Sequence, residues 1–126
     1  MSKATALIVD DERDIRELLC LALGRMDLST HAAGTLQDAK TLLAAQPFDI
    51  CLTDMRLPDG SGLDVLRRMK SDPKMSGIPV LVLTGHGEKD VIVESMAAGA
   101  CDFIVKPFKP DHVLEVAQKA LSKSDD

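Results

Sequence analysis

The chain has 126 residues, of which 45% are hydrophobic and 28% are charged, and a formal net charge of −5. This length and composition suit one globular domain and exclude a disordered chain. The acidic balance disfavours general binding to nucleic acid or to anionic membranes, and a chain with three Phe and no Trp or Tyr has almost no platform for stacking bases.

Short apolar runs alternate five times with segments of helical periodicity. The strands are expected at residues 4–9, 28–33, 48–53, 79–83 and 103–105, and the helices at 12–26, 35–45, 63–71, 88–98 and 110–121. Five strand–helix pairs predict an α/β fold, a doubly wound parallel sheet covered on both faces. The second run contains Ser29 and His31 and the fifth follows Asp102, as at sheet edges, which fits the flavodoxin-like (βα)5 order 2-1-3-4-5.

We expect a single domain over residues 1–126, with an ordered core at about 4–121 and a polar tail at 122–126. The first apolar run is too short for a signal peptide, and no stretch approaches the length of a membrane span. The three cysteines, Cys20, Cys51 and Cys101, form no CxxC pair. Reduced thiols in a cytoplasmic protein are therefore expected.

Polar side chains follow the predicted central strands. Asp10 and Asp11 come after the first strand, Asp54 after the third, Thr84 after the fourth, and Lys106 after the fifth. Parallel strands end at one edge of the sheet, so these residues are expected to converge there. Two carboxylates about 5 Å apart at an effective dielectric constant of about 20 repel by roughly 3 kcal/mol. Three such groups favour a hard divalent cation with oxygen ligands, and Mg²⁺ suits a site that keeps open positions.

A purely structural interpretation has Asp10 and Asp11 capping the following helix, but it leaves Asp54 unexplained. Aspartate is also a nucleophile that can form an acyl phosphate. A lysine and a cation can neutralise the oxygens of a transferring phosphoryl group, and a threonine hydroxyl can donate to one of them. The residue types therefore indicate phosphoryl transfer to a carboxylate.

Four ordered motifs carry a resemblance to a known family. They are LIVDDE at 7–12, LTDMRLPDGSG at 52–62, LVLTGHG at 81–87 and DFIVKPF at 102–108. Together they resemble the receiver domains of two-component response regulators, over residues 5–121. Residues around Asp54 and in the first helix look most like receivers of the NtrC type, including pilus-gene regulators.

The resemblance implies that Asp54 is the phosphoacceptor. It further implies that Asp11, Asp54 and the backbone carbonyl of Arg56 bind Mg²⁺ directly, with Asp10 acting mainly through water. Thr84 would hydrogen-bond a phosphoryl oxygen, and Lys106 would pair with the phosphoryl group or with Asp54 before phosphorylation.

The same resemblance implies a switch, a partner and an output. Phe103 stands at an aromatic switch position whose rotamer follows Thr84, although core packing alone would also explain it. Arg56 and His86 stand at positions that tune the lifetime of the phosphoryl group, although exposed surface would explain both. The Lys106–Pro107 peptide is expected to be cis.

The phosphodonor would be a phosphohistidine on a sensor histidine kinase or a histidine phosphotransfer protein. The readout would lie on the face formed by residues 88–98, 103–105 and 110–121, where a phosphorylation-dependent homodimer is one outcome. Catalysis would be limited to the chain's own phosphorylation and dephosphorylation, without direct DNA binding or membrane association.

Three other functions remain open at this point. A flavodoxin-type module shares the topology, but the acidic loop Asp10-Asp11-Glu12 would repel a cofactor phosphate. A haloacid-dehalogenase-like phosphatase needs a second Asp two residues after the nucleophile, where this chain has Arg56. A receiver used only for dimerisation would not need all five site residues.

Overall fold

The computed structural model describes residues 4–85 and 87–124, so His86 lies outside the described residues. Its central sheet has five parallel strands, and a separate two-stranded hairpin lies beside it. The sheet strands are β1 (Thr5–Val9), β2 (Ser29–Ala33), β3 (Ile50–Asp54), β6 (Val80–Thr84) and β7 (Asp102–Val105), and the hairpin strands are β4 (Arg56–Leu57) and β5 (Gly60–Ser61).

The strand order β2-β1-β3-β6-β7 confirms the predicted 2-1-3-4-5 order once the hairpin strands are set aside. Strands β1, β3 and β6 are buried along nearly their whole length, as their continuous apolar runs predict for central positions. The more polar β2 and β7 lie at the edges. Composition therefore separates central strands from edge strands in this sheet.

Five helices cover the two faces of the sheet. They are α1 (Arg13–Gly24), α2 (Leu36–Ala45), α3 (Gly62–Ser71), α4 (Lys89–Ala97) and α5 (Pro110–Ser124). The buried faces of α1 and α5 pack in one aliphatic cluster, and those of α2 and α3 pack in another on the opposite side. All these elements lie within a few residues of their predicted positions. None of the helices in the described part of the chain has the length and apolarity to cross a bilayer.

Helix α4 differs from the other helices because so few of its residues are buried. Of its residues, all of which are described, only Ser95 is buried. The Ser95 hydroxyl donates to the Val91 carbonyl at 2.7 Å, so it is satisfied within the helix. Val93 and Met96 are exposed. Helix α4 therefore contacts the core mainly through the half-buried Val91, and none of its apolar side chains is fully buried.

The hairpin of β4 and β5 was not predicted, because two-residue strands are too short to show periodicity. Its turn contains Asp59, whose carboxylate accepts hydrogen bonds from the amides of Leu36 (2.7 Å) and Gln37 (3.0 Å). These bonds lower the pKa of Asp59 and satisfy the first turn of α2 from a distant loop.

Gly62 allows α3 to begin directly against β3. Its amide donates to the Met55 carbonyl at 3.0 Å, and a Cβ atom at this position would lie 2.0 Å from the carbonyl oxygen of Asp54. The contacted atom is backbone and cannot move aside. Helix α3 therefore begins in close contact with the end of β3. The Lys106–Pro107 peptide is cis, as expected.

We predict that Gly62→Ala lowers the free energy of unfolding by about 3 kcal/mol, because the added methyl group overlaps fixed backbone. Urea denaturation followed by circular dichroism measures the change. The matched control is Gly24→Ala, in α1, where an added Cβ meets nothing within 4 Å. This control should be neutral or more stable by up to about 1 kcal/mol. Equal stability of the two variants would contradict the prediction.

Candidate functional site

The carboxyl ends of four strands form one edge of the sheet, and the predicted residues lie there. Asp10 directly follows β1, Asp54 and Thr84 are the last residues of β3 and β6, and Lys106 directly follows β7. Asp54 is in register with Leu83, so the ends of β3 and β6 are nearly level. The Lys106 amide donates to the Thr84 carbonyl at 2.7 Å, which extends the pairing beyond β7.

The Lys106 ammonium group joins the carboxylates at this edge. Its Nζ lies 2.8 Å from Asp10 Oδ2 and 3.1 Å from Asp54 Oδ2, with Glu12 Oε1 at 3.7 Å. The Asp10 side chain is fully buried, whereas those of Asp54 and Lys106 are 13% and 18% exposed. One ammonium group therefore contacts two largely buried carboxylates. Of the two, Asp54 is the one that is accessible to solvent.

Burial and charge shift the two most enclosed groups. Burial raises the pKa of Asp10, and the hydrogen bonds from Lys106 and from the Glu12 amide offset this only in part. Burial by itself would lower the pKa of Lys106. The hydrogen bonds to Asp10 and Asp54 and their charges outweigh it, so the pKa of Lys106 is raised. The shared lysine thus stays charged, whereas the free-energy cost of burying the Asp10 carboxylate is only partly offset.

Backbone and side-chain contacts hold Asp10 rigidly. Its Oδ1 accepts from the Glu12 amide at 2.9 Å, and its own amide donates to the Ala33 carbonyl of β2 at 3.0 Å. Arg16 Nη1 donates to its carbonyl oxygen at 2.8 Å. Sequence reasoning missed Arg16, because its partner is a backbone atom that no motif identifies. With Oδ1 bound to the Glu12 amide, Oδ2 faces Lys106.

The Asp54 carboxylate is held less tightly. Its Oδ2 faces Lys106, and its Oδ1 accepts from the Arg56 amide at 3.3 Å, a long bond. The Asp54 carbonyl accepts from the Thr53 hydroxyl at 3.0 Å and lies against Gly62. The backbone of Asp54 is therefore fixed, while one carboxylate oxygen has only a weak partner.

An acidic group adjoins this pair. Carboxylate oxygens of Asp10, Asp11 and Glu12 all lie within 4.8 Å of one another. Hard oxygen donors at this density suit Mg²⁺. Sequence reasoning identified Asp10 and Asp11 but gave Glu12 no ligand role, although it directly follows them. Asp54 is not a member of this group and is linked to it by Lys106.

The two predicted switch residues lie in the neighbouring strands β6 and β7. Thr84 is buried, and within residues 4–85 and 87–124 its hydroxyl has only a 3.5 Å contact to the Gly85 carbonyl. Phe103 is half-buried and packs against the same cluster as α2 and α3. Thr84 thus has a hydroxyl with spare donor capacity, and Phe103 has contact with the core.

The cysteines contribute nothing to the site. Cys20, Cys51 and Cys101 are all free thiols, in agreement with the expectation of reduced cysteines. Burial raises the pKa of Cys51 to about 12, so this thiol stays protonated and unreactive.

Comparison with known sequences identifies one family. Residues 6–118 match the model of the family described as the response regulator receiver domain. The chain is 48% identical over 121 residues to the response regulator protein PilR of Pseudomonas aeruginosa, covering 96% of this chain and 27% of PilR. It is 39% identical over 123 residues to the transcriptional regulatory protein FixJ of Rhizobium meliloti, covering 95% of this chain and 58% of FixJ. The chain therefore spans between a quarter and three-fifths of these relatives.

Solved structures give the same result. NtrX of Brucella abortus superposes with a TM-score of 0.90 at 32% identity, over 98% of this chain and 28% of NtrX. The crystal structure of a protein from Chloroflexus aurantiacus, titled a putative response regulator, superposes with a TM-score of 0.90 at 27% identity. The match covers 96% of this chain and 99% of that one. The fold is thus found both as a whole chain and as part of a longer one.

We predict that Asp10→Asn raises the free energy of unfolding at pH 7 in buffer free of divalent cations. The unfolded carboxyl ionises near 3.8 and the folded one at higher pH, so the folded state keeps the proton between the two values. Stability from this group is therefore lost as pH rises across that interval, and Asn avoids the loss.

Urea denaturation at pH 7 and at pH 3 measures the effect, which should shrink at pH 3, where the aspartate is largely neutral in both states. Asp11→Asn, at an exposed neighbour, is the matched control and should change stability little. A less stable Asp10→Asn protein at pH 7 would show that the ion pair with Lys106 outweighs the cost of burial.

Proposed function

Because this chain belongs to the family of response regulator receiver domains, we propose that Asp54 accepts a phosphoryl group and acts as the trigger of a signalling switch. The observation that carries this proposal is the Asp54 carboxylate itself. It lies beside the Lys106 ammonium at 3.1 Å, it is partly exposed, and one of its oxygens has only a weak partner. The donor is a phosphohistidine on a sensor histidine kinase or a histidine phosphotransfer protein.

In the transfer step an Asp54 carboxylate oxygen bonds to phosphorus while the bond from phosphorus to the histidine nitrogen breaks. The electron pair of that bond stays on the imidazole, and Asp54 becomes an acyl phosphate. Lys106 balances the charge of the phosphoryl oxygens, and the Thr84 hydroxyl donates to one of them. Lys106 Nζ lies 3.1 Å from Asp54 Oδ2, and Thr84 ends the neighbouring strand β6.

We propose that Asp11, Asp54 and the backbone carbonyl of Arg56 hold Mg²⁺, with Asp10 acting through water. The grouping of carboxylates at Asp10, Asp11 and Glu12 supports a hard-cation site here. When bound, the ion neutralises charge on the transferring phosphoryl group. The protein's part is to hold the Asp10 side chain beside Lys106, so that the acidic loop stays at the strand ends.

The output is proposed to lie on the face of α4, β7 and α5. Thr84 moves toward the phosphoryl group and Phe103 follows it, shifting a pre-existing equilibrium between two conformations. Two features support this face. Helix α4 has a single buried residue, and its Val93 and Met96 side chains are 68% and 41% exposed. These apolar side chains suit a homodimer contact or a partner protein, and the net charge of −5 does not suit DNA.

We predict that acetyl phosphate with Mg²⁺ adds one phosphoryl group, measured by intact mass, and that hydroxylamine removes it as it does other acyl phosphates. Asp54→Asn should take up none, because the nucleophilic oxygen is lost. Lys106→Met should react about a hundredfold more slowly, because a cation beside the transferred group is removed.

Asp38→Asn, at an exposed position on α2, is the matched control and should react at the wild-type rate. Uptake by Asp54→Asn at the wild-type rate would refute the assignment of the acceptor. Size-exclusion chromatography with and without beryllofluoride tests the dimer. A protein that dimerises but takes up no phosphoryl group would favour the role as a dimerisation module alone.

A further inference from the structure

An ion pair outside the strand-end cluster joins the two segments that flank Asp54. Arg56 Nε lies 3.8 Å from Glu88 Oε2. Arg56 is two residues beyond Asp54, and its amide faces Asp54 Oδ1. Glu88 is four residues beyond Thr84 and directly precedes α4, where its carbonyl accepts from the Ile92 amide at 3.1 Å. The pair thus connects the segment after the acceptor with the start of α4.

The two side chains of this pair differ in solvent exposure. The Arg56 side chain is 79% exposed and the Glu88 side chain 22%. The Glu88 carboxylate lies close to the backbone after Thr84, since a Cβ atom on Gly85 would be 2.9 Å from Oε1. At 3.8 Å the contact between Arg56 and Glu88 is too long for a hydrogen bond. Glu88 is therefore the more enclosed member of the pair, and Arg56 is the more exposed one.

A phosphoryl group on Asp54 adds negative charge beside this pair. Arg56 would be attracted by the phosphoryl oxygens, and its planar guanidinium suits them. Glu88 competes for the same cation and repels the incoming group. An exposed ion pair of this kind is worth up to about fivefold in a rate or equilibrium constant, so it is easily exchanged.

We propose that Glu88 is a positioning residue that holds the Arg56 guanidinium away from the incoming phosphoryl group and thereby slows phosphorylation of Asp54. This inference rests on the proposed function. With acetyl phosphate, an Asp54 oxygen bonds to phosphorus and the bond from phosphorus to the acetate oxygen breaks. Acetate leaves with the electron pair, and Arg56 exchanges Glu88 for the phosphoryl oxygens. No proton is taken or given by either residue.

The test is the rate of labelling by acetyl phosphate with Mg²⁺ at low ionic strength in Glu88→Gln, Arg56→Gln and the double variant. Glu88→Gln should react about three- to fivefold faster than wild type, because Arg56 is released. The gain should be much smaller in the Arg56→Gln background. It should also shrink in 1 M salt, where charges are screened beyond about 3 Å.

Glu94→Gln is the matched control. It removes the same charge from α4 and breaks a similar pair, in which Arg67 Nη2 lies 3.6 Å from Glu94 Oε1, so its labelling rate should equal that of wild type. Wild-type rates in Glu88→Gln with normal labelling of Asp54 would overturn the inference and leave the proposed function intact. An equal gain with and without Arg56 would also overturn it, since Glu88 would then act by direct repulsion. Absence of label in every protein, wild type included, would refute both proposals.

Discussion

The Lys106 ammonium, shared between the Asp10 and Asp54 carboxylates, is the interaction on which the strand-end cluster depends. Two carboxylates brought to one edge of a parallel sheet repel strongly in a partly dry environment. The lysine reduces that repulsion by contacting both, at 2.8 Å and 3.1 Å. It does not remove the cost of burying Asp10, and the raised pKa of that carboxyl is the consequence. The cluster therefore forms, but its one ammonium group balances only one of the two negative charges that it contacts.

The scaffold fixes this cluster through the backbone. Asp10 is tied to β2 by its amide and to Arg16 by its carbonyl, and the Asp54 backbone is enclosed by Gly62 and Thr53. Of the two carboxylates, that of Asp54 is therefore held less tightly than that of Asp10. A well-held backbone with one loosely held carboxylate oxygen suits the acceptor role proposed for Asp54.

The region beyond β6 has the opposite character. Helix α4 has one buried side chain. At the surface Arg67 contacts Glu94 in α4, and Arg56 contacts Glu88 just before it. Surface ion pairs contribute little free energy and are easily rearranged. A segment held in this way can respond to a change of charge at Asp54. Helices α1 and α5 bury several aliphatic residues each, so moving them would cost much more free energy.

The order of residues alone accounts for the α/β class, the central and edge strands, and the convergence of Asp10, Asp54, Thr84 and Lys106 at one edge. These follow from local periodicity and from the rule that parallel strands end together. The tertiary structure decided how the charges are shared. It also placed Glu12 with Asp10 and Asp11, set Asp59 over the first turn of α2, and paired Arg56 with Glu88. The contacts of Asp59 with Leu36 and of Lys106 with Asp54 join residues 23 and 52 positions apart. Such contacts depend on side-chain direction and burial, which periodicity does not encode.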